Sequence, residues 1–110
     1  MSRKVFVVNN SGHDFSTAEE FGELVYLSEG MFNSFDLNKM YRMFAELLVD
    51  STPEDYILMS GLPQMNMIAS AIFGYMHGRV NILLYSSRNN NYQFKEIVLG
   101  NLIDNNRNND

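Results

Sequence analysis

Short apolar runs of β-forming side chains alternate along this chain with longer stretches whose apolar residues recur at helical spacing. That alternation constrains the fold more than any other feature. Val5-Phe6-Val7-Val8 is one such run, closed by Asn9-Asn10-Ser11-Gly12. Tyr56-Ile57-Leu58-Met59, closed by Ser60-Gly61, is a second, and Val80 to Tyr85 a third. Continuous rather than alternating apolarity marks strands buried on both faces, as in parallel sheets. Between them, Leu37, Met40, Tyr41, Phe44, Leu47 and Leu48 form one helical stripe, which Asp36 or Ser34 can cap and Pro53 ends. Met65, Ile68, Ala69, Ile72, Phe73 and Met76 form another, with Pro63 suited to its first turn and Gly78 to a left-handed C-terminal cap.

Two segments need more argument. Ser16 and Thr17 precede Glu19 and Glu20 at capping-box spacing, so a short helix starts there. Leu24-Val25-Tyr26-Leu27 then reads as a strand; read as helix instead, residues 23–28 would leave a four-stranded sheet. Arg88-Asn89-Asn90-Asn91 is a turn, and Tyr92 to Leu99 returns as an antiparallel edge strand whose Gln93, Lys95 and Glu96 discourage edge-to-edge pairing.

Strands alternating with helices imply right-handed crossovers and a parallel sheet covered on both faces. The expected fold is a small Rossmann-like, flavodoxin-like three-layer α/β domain over residues 1–103, with strand order 2-1-3-4-5 and a C-terminal antiparallel hairpin. A chain of 110 residues suits one domain. Residues 104–110 are polar throughout and read as a flexible tail.

Composition removes several function classes. The chain has no cysteine, which excludes disulfides, thiolate metal sites and cysteine nucleophiles and fits a cytoplasmic protein. Its net charge is −5 and its 8 basic residues are scattered, which argues against nucleic-acid binding and against adhesion to anionic membranes. The apolar run after Arg3-Lys4 is too short for a signal peptide or a membrane span. The 8 methionines fall mostly among other apolar residues and suit an adaptable core. A small acidic chain with many Asn and Met has the style of a phage or mobile-element accessory protein, with no motif to carry that likeness.

In open α/β sheets, ligands bind beyond the carboxyl ends of the strands, where strand order reverses. Two loops are expected to meet there, one with Asn9, Asn10, Ser11, Gly12 and His13, the other with Ser60 and Gly61. Each leads into a helix N-terminus, which favours a small anionic, nucleotide-like ligand. The same residue types also serve ordinary turns. A bulky residue at Gly61 is expected to block the ligand and spare the fold.

His13 and Asp14 offer an alternative acid–base pair for an enzyme acting on a phosphate- or carboxyl-bearing substrate, with activity lost on His13→Ala. Glu19, Glu20 and Glu23 have no metal-site spacing, and neither a metal nor a cofactor is expected. His77, near a helix end, should favour its cationic form through the dipole.

The favoured reading is a binding protein without catalysis, contacting a partner protein or a small anionic ligand. Self-association is expected because so small a chain gains from burying a further face. A structural subunit of a larger homo-oligomer, binding no ligand, is the third reading.

Overall fold

Val5, Phe6 and Val7 are buried, which places strand β1 (Lys4–Val7) in the middle of the sheet. The computed structural model describes residues 3–30 and 36–100. The polar tail and Ser34 lie outside those residues. β1 pairs in parallel with β2 (Glu23–Tyr26) on one side and with β3 (Tyr56–Leu58) on the other. β4 (Arg79–Ser86) continues the parallel sheet beside β3, and β5 (Asn91–Val98) closes the edge antiparallel to β4. The order is β2-β1-β3-β4-β5, as expected from the alternation of runs.

The segment around Leu24 is therefore a strand, and the reason is not local. The Glu23 N–H donates to the Arg3 carbonyl at 3.0 Å, and Gly22 brings the backbone close enough for that bond to form.

Helix α1 (Leu37–Leu48) is capped by Asp36, whose carboxylate accepts from the Lys39 N–H at 3.1 Å. Of its apolar stripe, Met40, Phe44 and Leu48 are buried, while Leu37, Tyr41 and Leu47 stay exposed. Helix α2 (Pro63–His77) has Pro63 in its first turn and ends on Gly78, whose φ of +71° supplies the left-handed cap.

The two faces of the sheet are clad unequally. Both α-helices pack on one face, where Met40, Phe44, Leu48, Met65, Ala69 and Phe73 meet Phe6, Ile57 and Ile82. Among the described residues, the other face carries only the 3₁₀ helix Ser16–Glu20 and its flanks, with Phe15 and Ala18 over Val5, Val7, Leu58 and Leu83. Three full layers were expected. The crossover from β1 to β2 runs opposite in direction to those from β2 to β3 and from β3 to β4. Right-handed connections therefore send it to the opposite face. Only five residues of 3₁₀ helix travel that way. The capping also differs from expectation, since no side chain at Ser16 caps the turn. Asp14 does so, accepting from the Ser16 N–H at 2.9 Å.

His77 departs from the dipole argument too. Burial pushes its imidazole below the ordinary value, against the pull of the Asp55 and Glu54 carboxylates. It sits 4.5 Å from the Phe73 ring, and its Nε2 lies 2.8 Å from Ser51 Oγ. Because the Ser51 hydroxyl donates to the Leu48 carbonyl at 2.6 Å, Nε2 is the donor to Ser51. A lowered folded value means that the unfolded chain takes up the proton first as pH falls. His77's contribution is then fully present above about pH 6.5 and is lost below it. Urea unfolding should show stability declining from neutral pH toward pH 5, with a smaller decline in His77→Gln. Equal declines in the two proteins would contradict this.

Candidate functional site

The two loops expected to carry a ligand are joined in the structure. The Asn9 N–H donates to Ser60 Oγ at 2.9 Å, which ties the carboxyl end of β1 to that of β3. Gly61 lies against the first loop at a φ of +77°, and a Cβ there would sit 2.7 Å from Asn9 Cβ and 3.1 Å from Met65 Sδ. A bulky residue at Gly61 would therefore disturb the packing between the loops, so the substitution does not spare the fold as expected.

Beyond this junction lies an open pocket of about 590 Å³, within the size range of small-molecule sites. Ser11, His13, Asp14 and Phe15 line it from the first loop, and Met59, Ser60 and Gly61 from the second. Tyr85 and Tyr92 complete it from β4 and β5. Of the residues singled out in sequence, Ser11, His13, Ser60 and Gly61 thus line one cavity together with Asp14.

Asn9, Asn10 and Gly12 hold the loop in shape instead. Asn9 is buried, and its amide donates to the Gly30 carbonyl at 3.2 Å and to Met65 Sδ at 3.3 Å. Asn10 extends the pairing toward the chain after β2: its N–H donates to the Ser28 carbonyl, and its own carbonyl accepts from the Gly30 N–H. Gly12 turns the chain at a φ of +94°.

Tyr85 and Tyr92 are the lining residues that the loop argument missed. They are direct cross-strand partners, with ring centroids 5.3 Å apart. The signal was present in the turn. A hairpin centred between Arg88 and Asn89 puts positions 85 and 92 opposite each other on one face.

The electrostatics of the cavity are specific. The Ser16 backbone N–H holds the Asp14 carboxyl below its ordinary value, with help from the Ser16 side chain. Asp14 is therefore an acceptor at neutral pH. Burial, then Tyr85 and Asp14, push the Tyr92 phenol up, so it keeps its proton and can donate. Among the described residues, no Lys or Arg lines the cavity. His13 meets the Phe15 ring edge-on at 6.3 Å, and among the described residues no hydrogen bond joins it to Asp14. Nor, among those residues, does any group of three His, Cys, Asp or Glu gather as metal ligands. No helix among them is long and apolar enough to cross a membrane.

The family model described as Phage Pam3 gp32-like protein matches residues 3–99, a span that takes in all five strands and both helices. No curated protein and no solved structure matches the chain.

Proposed function

This chain belongs to the Phage Pam3 gp32-like protein family, and we propose that it is a phage-related binding protein without catalysis that holds a small ligand between the two loops. The observation that carries this reading is the Asn9–Ser60 junction, which builds one cavity at the point where strand order reverses. The strand order supports a Rossmann-like assignment in the same way.

The lining favours a particular chemistry. The half-exposed Tyr85 ring is available for stacking, Phe15 and Tyr92 add apolar wall, and the hydroxyls of Ser11 and Ser60 offer donors and acceptors. That suits a ring-bearing polar molecule such as a nucleoside. A phosphate on it would gain from the N-terminus of α2 but would face the Asp14 carboxylate with no Lys or Arg among the described lining residues to offset it. The acid–base alternative is the less favoured reading, because among the described residues no hydrogen bond joins His13 to Asp14, whose Oδ1 accepts from the Ser16 N–H.

A thermal-shift comparison of nucleosides with their monophosphates tests the reading. A ligand at a hundred times its Kd should add about 2.7 kcal/mol, a rise in Tm on the order of 10 °C for a domain of this size. We expect a nucleoside to stabilise more than its monophosphate, and the shift to vanish in Tyr85→Ala, a half-exposed residue whose loss leaves the core intact. No shift with any member of the panel would sink the proposal. A shift that survived Tyr85→Ala would place the ligand elsewhere.

A further inference from the structure

Helix α2 carries no charged side chain from Pro63 to Met76, in a chain whose net charge is −5. A helix whose polar side chains before His77 are only Gln64, Asn66, Ser70 and the Tyr75 hydroxyl is suited to burial on most sides. Yet one side of α2 faces solvent. Tyr75 is 92% exposed and Met67 71%, and Ala71 lies exposed between them. A groove of about 630 Å³ runs beside this row, where Tyr41, Ala45 and Val49 of the α1 segment meet Ile68, Ile72 and Tyr75.

We propose that this face is the two-fold interface of a homodimer, with Ala71 at the axis. Three observations select a second copy as the occupant. The first is the symmetry of the row. Met67, Ala71 and Tyr75 are four residues apart and share one helix face. Two α2 helices packed antiparallel about Ala71 bring each Met67 onto Tyr75 of the other copy. The contact is complementary to its own reverse, as an isologous interface requires. The sulfur–ring pairing is favourable, and the alanine methyl at the centre lets the helix axes approach closely.

The second observation is charge. Acidic residues of the described surface lie outside α2, at positions such as Glu19, Glu20, Glu23 and Glu54. Copies meeting through those regions would repel, while copies meeting through α2 place no like charges together along the row.

The third is area. Tyr41, Val49, Met67, Tyr75 and Met76 together expose on the order of 600 Å², taking about 150–250 Å² for an aromatic side chain and less for the others. With the smaller neighbours added, that approaches the roughly 800 Å² per partner of a specific interface.

The test uses the full chain and light scattering coupled to size exclusion. The wild type should run at twice the 12.7 kDa chain mass at about 100 µM, where a micromolar Kd leaves most chains paired. Ala71→Glu and Ala71→Lys are exposed changes that leave the core alone. Each should run at the single-chain mass, because the axis sets two like charges face to face. An equimolar mixture of the two variants should recover the doubled mass, since glutamate then meets lysine across the axis. A wild type at single-chain mass overturns the proposal, as does a dimer that survives Ala71→Glu. A mixture that stays monomeric removes Ala71 from the axis and overturns the arrangement. The readout is mass and not ligand affinity, so this proposal and the cavity reading fail separately.

Discussion

Replacing Gly22 by alanine should cost about 3 kcal/mol or more of stability, a loss normally reserved for damage to a core or to a backbone junction. The reason is a contact between backbones. A Cβ built on Gly22 would lie 2.4 Å from the Arg3 carbonyl oxygen and 2.7 Å from its carbon. Neither atom belongs to a side chain that can swing aside. To admit the methyl, β2 would have to withdraw from β1 by on the order of 1 Å, and a bond stretched that far no longer counts as one. The bond at stake is that of the Glu23 N–H to the Arg3 carbonyl, at 3.0 Å. It sets the register in which Lys4 meets Glu23 and Phe6 meets Val25. Gly30→Ala is the fitting control. Its φ of +63° disfavours a side chain, but nothing among the described residues stands within 4 Å of the added carbon. That substitution should cost only about 1–2 kcal/mol. Urea unfolding of the two variants separates the effects, and equal midpoints would refute the argument from contact.

The same glycine shows why part of the fold was legible in the sequence and part was not. β1, β3 and β4 could be read directly, because a strand covered on both faces must be apolar at successive positions, and Val5 to Val8 and Tyr56 to Met59 have no other easy explanation. The residues from Leu24 to Leu27 satisfied two periodicities at once. What decides between them is the approach of Gly22 to Arg3, a contact across the sheet that no local pattern encodes. The cap of the 3₁₀ helix failed for a related reason. Ser16 and Asp14 can both cap, and only the path of the loop selects Asp14. His77 was read from its place at a helix end, while its surroundings are fixed by Ser51 and Phe73, one of them 26 positions away.

The candidate site was half legible. Topology alone brings the ends of β1 and β3 together, so Ser11, His13, Ser60 and Gly61 could be named from the order of the runs. Residue type could not separate those that face the cavity from those that build its wall. Asn9 and Asn10 have the same side chain as any ligand-binding asparagine, yet the Asn9 amide is spent on Gly30 and Met65, and Asn10 Oδ1 accepts from the Gly12 N–H.

At the opposite end of the sheet, Asp55 and Asn81 form a polar staple that the sequence reading passed over, since an aspartate before a strand looks like an ordinary turn residue. Both are buried, at 3% and 2% exposure. Asp55 Oδ1 accepts from the Lys4 N–H at 2.9 Å, and Oδ2 accepts from the Thr52 N–H at 2.8 Å. Asn81 donates to the carbonyls of Pro53 and Asp55 and accepts from Arg79, which pairs in turn with Glu96. One connected set of bonds thus joins β1, the approach to β3, β4 and β5. Asp55→Asn changes almost no volume, but it turns one acceptor into a donor that must face a backbone N–H. Either the Lys4 or the Thr52 amide then loses its partner inside the protein. Unmet buried donors cost about 1–3 kcal/mol, and a bond to a charged acceptor is lost as well, so a total of about 3 kcal/mol is expected. Asp55→Ala should cost at least as much. Because the staple holds the amino ends of the strands and the cavity opens at their carboxyl ends, Asp55→Asn should lower the urea midpoint and leave the ligand-induced thermal shift unchanged. A variant within about 0.5 kcal/mol of wild type, the range of ordinary surface changes, would show that the two bonds contribute nothing to the fold. A lost ligand shift in a variant that remains folded would show that the two ends of the sheet are coupled.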